Sequence, residues 1–157
     1  SHKEYTMMKK EILMRGQTAH GQSETLEFSG IQIENKNMGY IITEFQLFPS
    51  TNIGAQHYEM TGSITTGKTP LDPDNPNFSD ESLIASGLIG DNASEAYPHS
   101  EAYVIDDTYV ITQNLKLLVK NTVGDPINWQ CRFKAVKMTD AAMATNNFKQ
   151  YMISDGS

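Results

Sequence analysis

"LKLLVKNTVGDPINWQCRFKAVK", residues 115–137, alternates apolar and polar residues on both sides of a turn, as half-buried β-strands do. Most of the apolar residues take odd-numbered positions, among them Leu115, Leu117, Val119, Ile127, Trp129, Cys131 and Phe133. The same parity extends back to Tyr109 and Ile111, and the glycine, aspartate and proline at 124–126 favour a turn. This pattern predicts two long strands joined as an antiparallel hairpin with one apolar face. Cys131 would lie on that face as a small buried hydrophobe rather than a nucleophile.

Other stretches alternate in the same way and add further strands. "ETLEFSGIQIE" (24–34) changes parity after Phe28, which predicts a β-bulge at Ser29-Gly30. "MGYIITEFQLFP" (38–49) puts Ile41, Phe45 and Leu47 on one face, and the turn before it predicts a second hairpin. Shorter candidates are "EILMRG", "QHYEMTGSITT", "SLIASGLIG" and "EAYVID". The total of about seven or eight strands has the spacing of a β-sandwich.

The segment "TDAAMATNNFKQYMI" (139–153) is the one stretch that favours a helix, because Thr139 or Asp140 can cap it and alanines follow. The 157-residue length suits one domain. We therefore predict a mainly β chain: a single antiparallel β-sandwich domain over residues 16–157 with a short C-terminal helix. Residues 1–15 form an N-terminal arm with too little patterned apolar surface to order itself.

Composition and charge exclude several classes of function. With 38% hydrophobic and 20% charged residues, the chain has the composition of a folded globular protein. It has no apolar run long enough for a membrane span and no secretory leader, so we expect an unexported, soluble product. The net charge of -7 argues against nucleic acid as the main ligand. The stretch from Lys68 to Lys116 is acidic and the following span is basic, so the two could meet between copies or remain solvated faces.

"GSITTGKT", residues 62–69, matches the phosphate-binding loop pattern through Gly62, Gly67, Lys68 and Thr69. Such a loop must lead into a helix whose N-terminus holds the phosphates. Of the prolines at 70, 73 and 76, the first could lie in the first turn of that helix but the later two could not lie in its interior, and the chain lacks the alternating strands and helices of nucleotide hydrolases. We interpret the match as accidental and predict neither a nucleotide hydrolase nor a bound cofactor.

Metal and catalytic patterns are equally incomplete. "DPDNPNFSDE" (72–81) has the composition of a calcium loop, but Pro76 and Asn77 break the EF-hand register, which leaves an irregular calcium site or a solvated loop. The histidines have no metal-ligand spacing: His2, His20, His57 and His99. No nucleophile elbow occurs in the sequence, and Asp106 and Asp107 favour a turn. We therefore predict no metal site and no enzyme activity.

"YVIDDTYVITQNLKLLVKNTVGDPINWQCRFKAVKMTDAAMA" (103–144) and "MGYIITEFQLFP" (38–49) together resemble a class of small structural proteins encoded by aquatic bacteriophages. The shared features are a Gly-Tyr strand ending in Phe-Pro, a Val-Ile-Asp before a long strand, and a final strand leading into a short helix. The resemblance implies a β-sandwich virion component, with jelly-roll topology as one possibility, and it transfers no functional residue.

Two functional hypotheses follow. The first is a viral structural protein: a capsid, minor capsid or decoration subunit, made in the host cytoplasm and located in the virion. Its partners would be copies of itself or a major coat protein. The second is a carbohydrate- or host-surface-binding module that uses the loops around Tyr97, His99 and Tyr103, where aromatic and polar groups could receive sugar rings.

Overall fold

The computed structural model describes residues 10–28, 37–51, 57–91 and 99–138. These ranges contain eight strands: β1 (Glu11–Thr18), β2 (Ser23–Leu26), β3 (Met38–Pro49), β4 (Tyr58–Thr65), β5 (Leu83–Asp91), β6 (His99–Ile105), β7 (Leu115–Asn121) and β8 (Ile127–Lys137). They contain no helix. The mainly β class is confirmed. The predicted helix at 139–153 and bulge at Ser29-Gly30 lie outside the described residues.

The strands form two antiparallel sheets that pack face to face as a sandwich. One sheet has three strands in the order β1-β8-β3, and the other has five in the order β2-β7-β4-β5-β6. The pairs β1 with β8, β2 with β7 and β4 with β5 are nested, as in one long hairpin rolled into two layers, which is the principle of a jelly roll. In a complete jelly roll a fourth pair would join β3 to β6. Here β6 pairs with β5 instead, and β3 is an edge strand of its sheet.

The predicted pairing of β7 with β8 is wrong, although the predicted alternation is confirmed. β7 pairs with β2 and β4 in the five-stranded sheet, whereas β8 pairs with β1 and β3 in the other. Gly124, at a φ of 79°, turns the chain from one layer to the other, and Asn121 closes this turn through its contacts with Val123 and Asp125. Alternation reports which face of a strand is apolar but not which strand lies beside it.

β3 spans the residues predicted for it, but the prediction that Ile41 faces inward is wrong. The register with β8 shifts between Ile42 and Glu44, so the buried parity changes from Tyr40 and Ile42 to Phe45 and Leu47. Ile41 is therefore not on the buried face. The predicted hairpin of β2 with β3 is also absent from the described residues, because β2 pairs with β7 and β3 with β8.

The core is the apolar layer between the two sheets. Phe133 is fully buried and its ring meets the ring of Phe28 edge-on, with centroids 4.9 Å apart. Trp129 is buried on the same strand and donates a hydrogen bond from Nε1 to Thr18 Oγ1 at 2.9 Å. Cys131 lies between them with no exposure, and burial raises the pKa of its thiol to about 12. The predicted role of Cys131 as a buried hydrophobe is confirmed.

The edge of β3 is covered at two points by the rest of the chain. Near its start, Tyr40 and Ile111 exchange backbone hydrogen bonds of 2.9 and 2.6 Å. Near its end, the Tyr103 hydroxyl of β6 lies 3.2 Å from both the backbone N and the backbone O of Leu47. Tyr103 thus links β6 to β3, the two strands that would pair directly in a complete jelly roll. It closes one side of the sandwich.

The predicted arm of residues 1–15 overlaps β1 from Glu11 onward, where the chain pairs with β8. Residues 1–9 lie outside the described residues. The part of the chain that the structure describes has no helix long and apolar enough to cross a membrane.

Candidate functional site

The residues of the phosphate-loop match are separated by the fold. Gly62 lies in the middle of β4, paired with Gly87 of β5 and Val119 of β7. Lys68 and Thr69 are exposed beyond the end of the strand, and residues 66–82 form turns and bends rather than a helix. The helix N-terminus that would hold a phosphate is therefore missing from this position.

Gly62 and Gly87 have a packing role instead. A Cβ at Gly62 would lie 3.1 Å from both Leu47 and Phe45, and one at Gly87 would lie 2.9 Å from Tyr103 and 3.0 Å from Phe45. The paired glycines thus form a depression in the five-stranded sheet that receives the Phe45 ring from the opposite layer. Phe45 also packs edge-on against Tyr103, with centroids 6.2 Å apart.

The loop of residues 66–82 folds back over the outer face of the five-stranded sheet. Ser63 Oγ donates a 2.6 Å hydrogen bond to the backbone oxygen of Leu71, and Thr61 Oγ1 contacts Asp74 Oδ1 at 2.6 Å. Lys120 on β7 places Nζ 3.0 Å from Asp72 Oδ1 and 3.7 Å from Asp74 Oδ2. The acidic segment and the later basic span therefore meet within one chain at this point.

Asp72 and Asp74 of the calcium-loop segment take part in the same contacts. Their carboxylates face the ammonium of Lys120, which supplies the positive charge there. The described residues hold no group of three or more His, Cys, Asp or Glu side chains that could bind a metal ion. His20 is bonded through Nδ1 to the backbone N–H of Asn121 at 2.9 Å, and Asp106 accepts from Thr108 in a turn.

Replacing Asp72 with asparagine is expected to lower stability at neutral pH, but not at low pH. Hydrogen bonds from Asn75 and then Lys120 lower the pKa of Asp72 from 3.8 to about 2. A lowered carboxyl pKa stabilises the fold above about pH 4, and this stabilisation is lost as the pH falls through about 2. Because Asp72 is half exposed, we expect an effect of about 1 kcal/mol or less.

Urea unfolding from pH 7 to pH 2 measures this difference between the parent chain and D72N. The gap in unfolding free energy should close between pH 4 and pH 2. The exposed Asp107, changed to asparagine, is the matched control and should show no such gap. A D72N gap that stays constant across this range would contradict the ion-pair interpretation.

A groove of about 790 Å³ crosses the outer face of the three-stranded sheet to the covered edge of β3. Arg15, Gln130 and Gln46 stand side by side across its strands, and Asn128 lies beside Phe48 in the next row. Glu101 and Tyr103 of β6 line the far side. The groove thus combines planar amides, one exposed aromatic ring, one cation and one anion.

Several groove side chains are held in place by hydrogen bonds. Asn128 accepts at Oδ1 from Gln17 Nε2 at 3.0 Å and donates to the backbone oxygen of Pro49 at 3.2 Å. Gln130 donates from Nε2 to Glu44 Oε1 at 3.0 Å. Amides fixed in this way present their remaining donors and acceptors at set positions, as a polar ligand requires.

Of the residues predicted for a carbohydrate site, Tyr103 lies in this groove. Tyr97 is outside the described residues, and His99 begins β6 with a side chain that the structure does not describe. The sequence did predict that Asn128 and Gln130 face away from the core. It did not predict their neighbours Arg15, Gln46 and Phe48, because these belong to strands whose pairing with β8 has no local sequence signal.

A second surface is the β5–β6 patch, which consists of Phe78, Leu88 and Val104 on the outer face of the five-stranded sheet. These side chains are 65%, 46% and 49% exposed. Phe78 and Val104 line a shared depression of about 170 Å³. On β5, Ser86 pairs with Val104, and Leu88 lies two positions further along the same strand. A group of exposed large apolar side chains is a candidate contact site for another molecule.

Comparison with protein-family models and with curated proteins found no match for this chain.

Proposed function

We propose that this chain is a viral structural protein, a capsid, minor capsid or decoration subunit of a bacteriophage that acts through protein–protein contacts. The observation that carries the proposal is the β5–β6 patch. Fully burying a large apolar side chain contributes roughly 1.5–3 kcal/mol, and covering the exposed part of Phe78, Leu88 and Val104 would contribute a fraction of that for each, which favours association with a partner. The partner in this proposal is a neighbouring coat protein or another copy of the chain.

Two further features support the proposal. Three of the four nested strand pairs of a jelly roll are present, and jelly rolls are used by viral capsid domains among others, although a fold by itself does not determine function. The loop of residues 66–82 is bonded to the outer face of its own sheet through Ser63 and Lys120. A surface fixed in this way is suited to binding with little loss of conformational entropy. The proposed role needs no cofactor and no catalytic step, and its location is the virion.

Density-gradient purification of the virus that encodes the chain tests this proposal. Peptides of the chain should band with the particles and stay with them after washing in high salt. Recombinant chain with Val104 changed to aspartate should bind stripped particles less than the parent chain, whereas a change of the exposed Gln113 to aspartate should have no effect. Recovery of the chain solely from the host-cell fraction would contradict the proposal.

We also propose a second candidate function, saccharide binding, for which the groove is the specific observation. Gln46 and Gln130 offer paired donors and acceptors suited to sugar hydroxyls, and Phe48, 61% exposed, offers a ring face for the apolar side of a sugar. A glycan array probed with the full chain tests this. Binding should be lost in Q46A and F48A and kept in the control Q113A. An array with no signal, or a signal unchanged by Q46A and F48A, would exclude it.

A further inference from the structure

β1 is an edge strand whose outward backbone groups can be identified. Ala135 donates a backbone hydrogen bond of 2.7 Å to Lys10, in the same register that pairs Glu11 with Lys134. In an antiparallel pair every second residue bonds to the neighbouring strand, so the even-numbered residues of β1 bond to β8. The backbone N–H and C=O groups of Glu11, Leu13, Arg15 and Gln17 therefore point away from the sheet.

These outward groups differ from those of β3, the other edge of the same sheet. On β3 the outward groups of Tyr40 and Leu47 are bonded to Ile111 and Tyr103. Within residues 10–28, 37–51, 57–91 and 99–138, no hydrogen bond reaches the outward backbone groups of β1. β1 contains no proline, and Leu13 on its outer face is 44% exposed. Such an edge is a template for another strand.

We propose that β1 pairs with β1 of a second copy, antiparallel about a two-fold axis at Leu13, so that two three-stranded sheets join into one. In this register Glu11 lies opposite the partner's Arg15, and Leu13 lies opposite the partner's Leu13. Each of these pairs exchanges both backbone hydrogen bonds, because the residues involved are those whose groups point outward. The two-fold axis repeats the Glu–Arg pair on the other side.

Charge selects this register among the alternatives. An axis at Arg15 would put Arg15 opposite the partner's Arg15, and an axis at Glu11 would put two glutamates together. An axis at Met14 would place Leu13 opposite the partner's Arg15. Opposite charges that face each other across strands stabilise the pairing and like charges destabilise it. The Leu13 register is the one that matches Glu11 with arginine and leucine with leucine.

This inference rests on the proposed structural role and names the self-contact that such a subunit would use. Sedimentation velocity of the full chain tests it through a charge-reversal cycle. The parent chain should form dimers, whereas E11R and R15E each place like charges in both symmetry-related pairs. Each should raise the dissociation constant about tenfold or more. The double variant E11R/R15E restores opposite charges and should recover the dimer.

Both substituted residues are exposed, so the variants should fold. Circular dichroism and the melting temperature check this, in particular for E11R, since Lys134 lies opposite Glu11 within the chain. Equal masses for all four chains, or a double variant that stays as dissociated as the singles, would overturn the proposal.

A crosslinking measurement tests the register directly. At the axis, the Cα atoms of Leu13 in the two copies would be about 5.5 Å apart, within disulfide range. L13C should form a disulfide-linked dimer under mild oxidation. Q17C is the matched control, because its two copies would lie roughly 25 Å apart along the strands. The native Cys131 is buried and does not compete. Equal crosslinking of L13C and Q17C, or none in either, would contradict the register.

The outcomes separate this inference from the proposed function. A chain that bands with virus particles but shows no charge-dependent dimer keeps its structural role and loses the β1 contact. A chain that forms the β1 dimer but never bands with particles keeps the contact and loses the structural role.

Discussion

Replacing Phe133 with alanine is expected to lower the free energy of unfolding by about 3–5 kcal/mol, the largest single effect that this structure predicts. Phe133 has no exposed surface and its ring meets Phe28 edge-on at 4.9 Å. The alanine would leave a cavity between the sheets, where Phe28 and the β3 residues Tyr40 and Ile42 limit collapse. Urea unfolding followed by tryptophan fluorescence measures the loss, since Trp129 lies on the same strand.

The matched control is Phe48→Ala, the same substitution on the same sheet. Phe48 faces outward on β3 and is 61% exposed, so its removal should change stability by about 0.5 kcal/mol or less. Similar losses for F133A and F48A would contradict the packing of β8 against the opposite sheet.

Gly87→Val is expected to destabilise the fold by about 1–3 kcal/mol, although valine favours strands. A Cβ at this position would lie 2.9 Å from the ring of Tyr103 and 3.0 Å from the ring of Phe45. Either ring must move, and a shift of Tyr103 would also break its contacts with the edge of β3 at Leu47. Thermal unfolding should therefore show a lower melting temperature, and hydrogen exchange should be faster at Leu47.

Gly90→Val on the same strand is the matched control. A Cβ at Gly90 would lie 3.5 Å from the backbone oxygen of Tyr58, an ordinary contact, so this variant should be neutral or slightly more stable. Loss of stability in G90V equal to that in G87V would point to a general intolerance of side chains on β5. It would contradict the interpretation that the glycine at position 87 is needed to make room for the Phe45 ring.

The strands and their buried faces could be predicted from the sequence, because alternation is a local property. Leu117, Val119, Phe133 and Cys131 are buried as their parity predicts. The partners of each strand could not be predicted in this way, since β7 and β8 have complementary apolar faces whether they lie side by side or in opposite layers. The bulge between Ile42 and Glu44 also has no local sequence signal.

The candidate surfaces depend on those long-range pairings and were predicted less well. The groove brings Arg15, Gln130 and Gln46 together from distant parts of the sequence. The contact between Lys120 and Asp72 likewise requires the loop of residues 66–82 to fold over β4 and β7. Gly62 and Lys68 both belong to the match with the phosphate-binding loop pattern. In the structure, however, Gly62 packs against Phe45 in the core, whereas Lys68 is exposed beyond the end of β4.

We propose above that the chain is a structural component of a virus particle. Quantitative mass spectrometry of gradient-purified particles tests it most directly, by measuring copies of the chain relative to the major coat protein. We expect a fixed stoichiometric ratio that stays constant across the gradient fractions containing particles. Absence of the chain from those particles, or a trace amount that varies between fractions, would contradict this role.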